Sequence, residues 1–399
     1  MPEENIMTLN HKKEVVLIIN AGSSSIKFSV LTCADLTVLY HGTIETTTDH
    51  PTLMMIDTSS RQVAKQALKK TGYAYALCQI LDWLEQSSTH LRLSAVGHRV
   101  VHAGPYYSGP TFITAEVLEK LALLNPLAPL HQPLSLLAIN LIRTQYPALP
   151  QIACFDTTFH HTQNKLATCF PIPRKLTSEG IIRYGFHGIS YEYIASVLPQ
   201  YLPNVAEGKI IVAHLGHGAS MCAMHQRQSV ATSMGLSALD GLMMGSRCGA
   251  LDPGVILYLL QEKKYSLNKL THLLYHESGL LGVSGLSSDM RTLEASTDPN
   301  AIEAIELFCY RAASELLSLC ASLQGCDAIV FTAGIGENSS QVRKKISQRL
   351  QWLGVQIDEA ANKRHTSIIS QSTSSIAVAV IPTNEEYMIA QHTLKLKPS

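Results

Sequence analysis

Short, almost wholly apolar runs that end in glycine- and serine-rich segments recur along the chain. The first covers residues 15–20, stops at a Gly/Ser segment over 21–25 and resumes as an alternating apolar and polar pattern over 26–30. Runs of this length, bounded by turn-forming residues, are typical of β-strands joined by tight turns. The pattern therefore predicts a strand, a turn and a second strand.

The same arrangement returns about half the chain later. Residues 210–213 are apolar, residues 216–220 form a Gly-rich segment, and an apolar run resumes at 221–224. A third apolar run, 328–332, leads directly into the Gly-rich segment 333–338, for which we also predict a turn. Two hairpins in corresponding places indicate two related α/β halves that face a shared cleft.

Helical periodicity is clearest over residues 300–323, and an Asp-Pro pair at 298–299 marks the predicted start of this helix. Its predicted buried face consists of seven apolar residues: Ile302, Ile305, Phe308, Ala312, Leu316, Leu319 and Leu323. A last predicted strand, 376–381, leads into a helix that we expect to pack back on the first half. Strands that alternate with helices predict an α/β fold.

No Pro-rich or Gly/Ser-rich linker marks a domain boundary in the sequence. We place the boundary near Thr157, with a return crossing near Thr383. The first domain is therefore predicted to comprise residues 1–156 and 384–399, and the second residues 157–383.

Formal charges balance, because 31 Lys and Arg residues oppose 31 Asp and Glu residues and the net charge is zero with histidine neutral. A protein that mainly binds nucleic acid or an anionic membrane needs an excess of cations, so neither partner is expected. Hydrophobic residues make up 46% of the chain and charged residues 16%. This composition predicts a large buried core rather than disorder.

Three features predict a cytoplasmic protein. No apolar run approaches the roughly 18 to 20 residues that cross a bilayer, and the first 14 residues lack the apolar core of an export signal. The nine cysteines are scattered and never form Cys-x-x-Cys or a zinc spacing with histidine, so we expect reduced thiols.

Several common catalytic motifs are missing from the sequence. The only Gly-Lys pair, Gly208-Lys209, is followed by isoleucine, so the P-loop is absent. Neither the Gly-x-Ser-x-Gly motif of serine hydrolases nor the His-Glu-x-x-His motif of zinc proteases occurs. The Gly-x-Gly pairs at 216–218 and 334–336 lack the third glycine of a dinucleotide fingerprint, which disfavours a Rossmann dehydrogenase.

The three Gly-rich segments each follow an apolar strand. Exposed backbone N–H groups in such turns bind anions, and small residues let a phosphate approach closely. One such turn is most often an ordinary hairpin, but three in one chain favour a nucleotide polyphosphate as the ligand.

Charged residues near these segments indicate what could surround the phosphates. Arg99 and Arg247 lie in apolar or Gly-rich stretches, and guanidinium groups match oxyanions bidentately. Asp156 and Glu385 fall where we predict that strands end, and carboxylate oxygens suit Mg²⁺. Either carboxylate alone would more often cap a helix or lie in a solvated turn.

An ordered series of motifs spanning nearly the whole chain resembles the acetate kinases. The series comprises NAGSSSIK at 20–27, GHRVVH at 97–102, LAPLH at 127–131, FDT at 155–157, RYGFHG at 183–188, HLG at 214–216, GLMMGSR at 241–247, FTAGIGEN at 331–338 and PTNEE at 382–386. An ordered set of this kind is far more specific than any single turn.

The resemblance implies an actin-like, ribonuclease-H-type fold of two duplicated α/β domains with a nucleotide cleft between them. It implies a homodimer with its interface in the second domain, Mg²⁺ (with Mn²⁺ as an alternative), and ATP or ADP as co-substrate. The implied reaction is the reversible in-line transfer of the γ-phosphoryl group of ATP to acetate, which gives acetyl phosphate and ADP.

The resemblance also implies roles for individual residues. The implied catalytic residues are Arg99, Asp156, His187 and Arg247, of which His187 and Arg247 stabilise the transition state. The short carboxylate is implied to contact Arg99, Val101, Leu130, His131, Phe186 and Ala238, and the metal to contact Asn20 and Glu385. The implied nucleotide-binding residues are Lys27, His214, Gly216, His217, Gly218, Asp289, Met290, Arg291, Gly334, Ile335, Gly336, Glu337 and Asn338.

Several positions depart from the pattern of the family. His217 and Gln132 stand where the family usually has asparagine, and Tyr191 where it has histidine. Met290 replaces a usual phenylalanine, and Ala238 replaces a usual proline, which opens the acyl pocket slightly. Because no arginine or metal-type carboxylate is lost, we expect an active kinase with altered nucleotide handling.

Three alternatives stay open at this point. One methylene changes selectivity by only about 1 to 3 kcal/mol, so the preferred acid could be propionate rather than acetate. A non-catalytic actin-like ATP-binding protein would keep the phosphate loops without an acyl pocket or paired arginines. A sugar kinase on the same fold would need a carboxylate base beside a polar pocket, which the apolar acyl positions disfavour.

Overall fold

The computed structural model describes residues 12–22, 25–45, 51–87 and 90–398. Residues 23–24 of the predicted N-terminal turn lie outside the described residues. So do residues 1–11 and 399, which belong to the predicted first domain.

The strands are β1 (Lys13–Ala21), β2 (Ser25–Thr32), β3 (Val38–Glu45), β4 (Thr52–Asp57), β5 (Val63–Ala67), β6 (Leu91–Val100), β7 (Thr111–Phe112), β8 (Gln151–Phe155), β9 (Lys209–Leu215), β10 (Ala219–His225), β11 (Gln228–Thr232), β12 (Ala328–Thr332) and β13 (Ala377–Val380). The helices are α1 (Tyr73–Ser87), α2 (Ala115–Ala122), α3 (Gln132–Gln145), α4 (Lys165–Thr168), α5 (Arg174–Ser178), α6 (Gly188–Tyr201), α7 (Pro253–Gln261), α8 (Leu267–His276), α9 (Gly279–Ser284), α10 (Met290–Glu294), α11 (Pro299–Leu323), α12 (Ala333–Asn338), α13 (Ser340–Gln348), α14 (Glu359–Lys363) and α15 (Glu385–Leu396). Short 3₁₀ helices cover Asn125–Leu127, Thr158–Thr162 and Gln351–Leu353.

The strands form two sheets with a common core order. The larger sheet has the order β5-β4-β3-β2-β1-β6-β8-β7, and the smaller has the order β11-β10-β9-β12-β13. In the larger sheet β1 pairs antiparallel with β2 and parallel with β6, which pairs parallel with β8. In the smaller sheet β9 pairs antiparallel with β10 and parallel with β12, which pairs parallel with β13. The shared order confirms the predicted α/β class with a related sheet in each half.

Contacts divide the residues into two compact units. The first comprises Met1–Asp156 and Glu385–Ser399, and the second comprises Thr157–Asn384. In the first unit β1 is buried along most of its length, because both faces of the sheet are covered. Leu17 belongs to the core shared with α1 and α3, whereas α15 packs on β1, β6 and β8.

The core of the second unit lies against its sheet in the same way. Apolar residues of α6 pack with those of β9, β10 and β12; Ile194 and Val212 are examples, and both are fully buried. The long helix α11 packs on β9, β10 and β11. The apolar strand runs predicted at 210–213 and 328–332 are therefore confirmed as central strands of this sheet.

Helix α11 confirms the predicted helix over 300–323, but one residue of the predicted buried face is wrong. Ile302 is 51% exposed, whereas Ile305 and Phe308 are 3% and 1% exposed. Ala301 and Ala304 lie inside at the start of the helix and are fully buried. The alanines take the buried positions there, so the large apolar residue that follows Ala301 faces outward.

The third Gly-rich segment is not the predicted turn but the short helix α12. Two carbonyl groups of its last turn, those of Gly336 and Glu337, accept hydrogen bonds from Nη1 of the fully buried Arg343, both at 2.8 Å. At the other end, the Glu337 carboxylate accepts a bond from the backbone N–H of Ala333 at 2.8 Å. These side-chain caps bond both ends of a helix that its glycines disfavour.

Two further observations concern the chain as a whole. Among the described residues no helix combines the length and the apolar character that a membrane crossing requires. The nine cysteines are all free thiols.

Replacing Gly97 with alanine should destabilise the first unit by about 1–3 kcal/mol, the usual cost of overpacking. Gly97 lies in β6 beneath α15, and an added Cβ would lie 2.6 Å from Cγ2 of Ile389 and collide with Thr393. Gly109→Ala is the matched control, because nothing lies within 4 Å of the added Cβ there. Thermal unfolding checks the prediction, and equal midpoints for the two variants would contradict it.

Candidate active site

In the first unit one guanidinium lies between two carboxylates. Nε of Arg99 donates to Oδ1 of Asp156 at 2.9 Å, and Nη2 donates to Oδ2 at 2.6 Å. Nη1 of Arg99 lies 3.2 Å from Oε2 of Glu385. We call these three residues the Arg99 cluster.

Chain topology brings the cluster together. Arg99 is near the end of β6, Asp156 directly follows the parallel strand β8, and Glu385 is the first residue of α15. Asp156 therefore lies at a strand end as predicted. Glu385 does not, since β13 ends at Val380. The three groups meet because α15 packs on β6 and β8.

Mutual attraction stabilises the charges of the cluster. Burial alone would lower the pKa of the Arg99 guanidinium, but the charges of Asp156 and Glu385 outweigh that effect and raise the pKa above its ordinary value. Asp156 is only 3% exposed. Removing the guanidinium would leave a buried carboxylate without its counter-charge, which is strongly unfavourable.

Oxygen donors that suit Mg²⁺ lie on the same side of the sheet. Asn20 of β1 is the register partner of Arg99 on β6, so the two side chains share one face of the sheet. Together with Asp156 and Glu385, Asn20 supplies the hard oxygen ligands that Mg²⁺ prefers. The described residues contain no group of three or more His, Cys, Asp or Glu that could hold a metal. The donor set therefore fits a metal that keeps several waters or phosphate oxygens.

Three predicted acyl contacts belong to the first unit. Val101 directly follows β6, whereas Leu130 and His131 come just before α3. Each of the three is partly exposed. His131 is the residue before α3. The next residue, Gln132, is fully buried and holds the backbone of His102: its Oε1 accepts from the His102 N–H at 3.1 Å, and its Nε2 donates to the His102 carbonyl at 3.2 Å. The Gln132 side chain therefore holds the backbone that follows Val101 in place.

In the second unit a tight turn joins β9 to β10, and the N–H of Gly216 donates to the carbonyl of Gly218 at 3.1 Å. Two predicted catalytic groups border this turn. A Cβ added to Gly218 would lie 3.2 Å from Nε2 of His187 and 3.9 Å from Nη1 of Arg247. The absence of a side chain at Gly218 therefore leaves both groups next to the backbone of the turn.

His187 and His214, which we call the histidine pair, stack face to face. Their ring centroids are 4.3 Å apart and the planes differ by 18°. Nδ1 of His187 lies 2.8 Å from Oγ of Ser220, and Nδ1 of His214 lies 2.8 Å from Oγ of Ser190. The anchoring of both Nδ1 atoms fixes the planes of the two rings.

His187 has an uncommon backbone conformation. Its φ of 58° and ψ of 23° are left-handed, which costs about 1–2 kcal/mol for a residue with a Cβ. The preceding Gly185, with φ of 75°, is also left-handed, and a Cβ there would lie 2.6 Å from His160 and from Thr232. Strain of this kind persists only where the surroundings enforce it.

Backbone carbonyl groups connect the remaining predicted residues. Nη1 of Arg247 donates to the carbonyl of Ala238 at 3.0 Å, so the backbone of a predicted acyl residue orients a predicted catalytic one. Nε2 of His160 lies 3.0 Å from the carbonyl of Phe186. Phe186 itself is 1% exposed, so the structure offers almost no accessible ring surface for an acyl group.

A cavity of about 480 Å³, which we call the loop cavity, lies beside the same turn in the second unit. It is lined by Gly216, His217, Ser288, Asp289, Met290, Arg291, Glu294, Gly334, Ile335, Asn338 and Ser339. This volume is typical of small-molecule sites. Most of the predicted nucleotide-binding residues of the second unit therefore surround one space.

Other predicted nucleotide-binding residues lie elsewhere. His214, Gly218, Gly336 and Glu337 do not line the loop cavity, and the Glu337 carboxylate accepts bonds from the backbone N–H groups of Ala333 and Thr383. Lys27 belongs to the first unit. There it lines a smaller cavity of about 200 Å³ together with Glu386.

His217 gives the loop cavity a neutral imidazole. Partial desolvation and the nearby charge of Arg247 lower its pKa below the ordinary value, although Asp289 opposes the shift. The ring packs against Gly245, where an added Cβ would lie 2.8 Å from Nε2 of His217. A neutral imidazole has one donor and one acceptor, so His217 can still donate to a phosphate oxygen.

A profile of the Acetokinase family matches residues 15–391. This chain belongs to the acetate kinase family. The protein is therefore a phosphotransferase that acts on a carboxyl group, in a family that uses ATP or ADP.

Individual relatives agree with the family assignment. The acetate kinase of Rhodopseudomonas palustris is 49% identical over 400 residues, which cover 96% of this chain and 98% of the relative. A solved propionate kinase from Francisella tularensis is 36% identical, with a TM-score of 0.91 over 96% of this chain and 100% of that one. A solved acetate kinase from Porphyromonas gingivalis is 32% identical, with a TM-score of 0.87 over 96% and 99%.

Several residues that shape the candidate site were missed by the sequence analysis. Ser190 and Ser220 anchor the histidine pair, His160 holds the Phe186 carbonyl, and Arg343 caps α12. Their partners are distant in sequence, except for that of Arg343. The one local signal was a polar residue placed in an apolar stretch, as at Ser220 in β10.

Acid should destabilise the protein partly through His160. Burial lowers its pKa to about 4, against about 6.5 in the unfolded chain. The stability that depends on the neutral ring is therefore complete above about pH 6.5 and is lost as the pH falls towards 4.

The variant His160→Gln tests this prediction, since its amide nitrogen can donate to the Phe186 carbonyl without titrating. Denaturant unfolding between pH 7 and 4.5 should show a shallower loss of stability in this variant than in the wild type. His272→Gln, which changes an exposed histidine, is the control. If stability fell equally steeply with pH in the wild type and in His160→Gln, the role given to the His160 ring would be contradicted.

Proposed function

We propose that the protein catalyses the reversible, Mg²⁺-dependent transfer of the γ-phosphoryl group of ATP to acetate, giving acetyl phosphate and ADP. The observation that supports this most directly is the glycine turn bordered by Nε2 of His187 and the guanidinium of Arg247. It occurs in a chain 49% identical to an acetate kinase over nearly its full length.

The residue types suit the chemistry of this transfer. Acetate is already ionised at neutral pH, so the nucleophile needs no general base. The tasks that remain are to hold two anions together and to neutralise charge on the phosphoryl group during in-line transfer. Arg247 and the histidine pair supply donors for the phosphoryl oxygens, and the loop cavity suits the rest of the nucleotide.

The predicted residues of the first unit suit acetate, which accepts the phosphoryl group. Arg99 supplies a positive charge for the carboxylate, and Val101 and Leu130 supply apolar contacts for the methyl group. Asn20, Asp156 and Glu385 would hold Mg²⁺ through oxygen atoms. When bound, Mg²⁺ or Mn²⁺ neutralises charge on the phosphate oxygens.

One assay separates this function from its alternatives. The purified chain is incubated with Mg-ATP, hydroxylamine and one of acetate, propionate, butyrate or glycerol, and both acyl hydroxamate and ADP are measured. Hydroxamate from acetate supports the proposal. ADP without hydroxamate would indicate an ATP-binding switch, and ADP formed only with glycerol would indicate a sugar kinase.

Propionate kinase activity is a second candidate. The solved propionate kinase from Francisella tularensis has a TM-score of 0.91 with this chain, and Ala238 replaces the usual proline of the acyl pocket. Since one methylene is worth about 1–3 kcal/mol, the ratio of kcat/KM for acetate and propionate decides the preferred acid.

Arg247→Ala should lower kcat about a hundredfold or more, because a preorganised donor to transition-state charge is worth roughly 3–4 kcal/mol. Arg311→Ala, which changes an exposed arginine on α11, is the matched control and should leave kcat unchanged. Steady-state kinetics and thermal unfolding of both variants check this. A near-normal kcat for Arg247→Ala would contradict the role assigned to the arginine.

We also infer a homodimer that forms through α7 and its surroundings. None of the nine residues of α7 is buried, yet its segment is strongly apolar, and Leu257 and Tyr258 are 53% and 52% exposed. Leu267 at the start of α8 is 72% exposed. Exposed apolar surface of this kind marks an interaction site, and a second copy agrees with the homodimer that the motifs imply.

Leu257→Asp should convert the dimer to a monomer, since it places a charge in the apolar interface. Light scattering after size-exclusion chromatography gives the mass directly. Leu166→Asp is the control, because Leu166 is 90% exposed and lies on α4, apart from α7 and α8 in the sequence. A monomeric wild type, or a dimeric Leu257→Asp variant, would rule out this interface.

The proposed location is the cytoplasm. Nine free thiols suit a reducing compartment, and ATP is available there. Fractionation of cells that produce the protein, followed by detection of acetate kinase activity, would test this location.

A further inference from the structure

Two hydrogen bonds connect His187 through Ser220 to the hydroxyl group of Tyr191. Oη of Tyr191 lies 2.5 Å from Oγ of Ser220, which in turn lies 2.8 Å from Nδ1 of His187. Tyr191 is on the second turn of α6, Ser220 is on β10, and His187 immediately precedes α6. All three are buried, and Tyr191 and Ser220 have no exposed surface.

The protons in this series of hydrogen bonds can be placed by counting donors and acceptors. Within the described part of the chain, Ser220 is the only hydrogen-bond partner of the Tyr191 hydroxyl. A buried phenol has to donate its proton or leave it unsatisfied at considerable cost. Tyr191 therefore donates to Ser220, and the single proton of Ser220 is directed to His187.

The consequence for His187 is a defined tautomer. When Nδ1 accepts the proton of Ser220, the imidazole is neutral and carries its own proton on Nε2. Nε2 is the ring atom next to the glycine turn and Arg247. In the opposite arrangement, with a proton on Nδ1, the Ser220 oxygen accepts from His187, and either the serine proton or the phenol proton is left without an acceptor among the described residues.

We propose that Tyr191, acting through Ser220, is a positioning residue that holds His187 as the neutral Nε2–H tautomer, so that this N–H donates to the transferring phosphoryl group. The role of the N–H towards the phosphoryl group rests on the proposed function. The tautomer itself rests only on the contacts. Burial also raises the pKa of Tyr191 above its ordinary value, which keeps the phenol protonated and able to donate.

The type of residue at position 191 matters for the tautomer. A side chain that can both donate and accept, such as histidine, would leave the direction of the Ser220 proton open. A phenol with one hydrogen-bond partner can only donate here, so it removes the ambiguity of the tautomer.

Nitrogen-15 NMR of the full chain labelled at histidine tests the tautomer without substrate. The signals of His187 are assigned by comparison with His187→Asn. In the wild type, Nδ1 of His187 should have the shift of an unprotonated ring nitrogen and Nε2 that of a protonated one. A proton on Nδ1, or a doubly protonated ring at pH 7.5, would overturn the proposal without any variant.

Tyr191→Phe removes the donor to Ser220, so that the serine proton is no longer directed to Nδ1 of His187. We expect the Nδ1 and Nε2 signals to shift towards the other tautomer and kcat to fall about tenfold, the size of one lost hydrogen bond, with KM for acetate and ATP within about twofold. Tyr201→Phe removes a hydroxyl from the same helix about 15 Å away and should change neither quantity. Unchanged His187 signals in Tyr191→Phe would overturn the role of Tyr191.

Ser220→Ala supplies a second variant in case Tyr191→Phe is poorly folded, and it should produce the same loss of the fixed tautomer. These measurements also distinguish a failure of the proposed function from a failure of the proposed tautomer. A wild type that shows the Nε2–H tautomer but forms no acyl phosphate would contradict the proposed function alone. An active wild type with the proton on Nδ1 would contradict only the role assigned to Tyr191 and Ser220.

Discussion

The pairing of the Arg99 guanidinium with Asp156 and Glu385 is the interaction on which the first unit depends. It joins β6, the residue after β8 and the start of α15, three elements far apart in the chain. Asp156 is nearly fully buried, so its charge would be costly without the guanidinium as counter-charge. The last helix of the chain has to return to the first sheet to complete this cluster.

The second unit repeats the core strand order of the first, but imidazoles and the Arg247 guanidinium border its hairpin turn. Its hairpin of β9 and β10 corresponds to that of β1 and β2. The turn of that hairpin meets imidazoles whose orientations are set by serine hydroxyls, at His187 and at His214. Imidazole and guanidinium N–H groups suit phosphate oxygens, whereas the carboxylates of the first unit suit a metal.

Much of the fold could be predicted from the sequence, because buried parallel strands read as continuous apolar runs and α11 shows helical periodicity. The helix at 333–338 could not, since its glycines indicate a turn and its C-terminal carbonyl groups are capped by the side chain of Arg343. The motifs indicated His187 and Arg247. The motifs did not indicate that Tyr191 and Ser220 orient His187. Tyr191 and Ser220 are 29 positions apart, and the order of residues along the chain does not show which distant side chains form a hydrogen bond.

The central claim is that this chain moves a phosphoryl group between a carboxylate and a nucleotide. The most direct measurement mixes the purified chain with acetyl phosphate, ADP and Mg²⁺ and follows the reaction by phosphorus-31 NMR. The account predicts that the acyl phosphate signal falls as the γ-phosphate signal of ATP rises by an equal amount. Conversion of acetyl phosphate to inorganic phosphate alone, with no ATP formed, would contradict it.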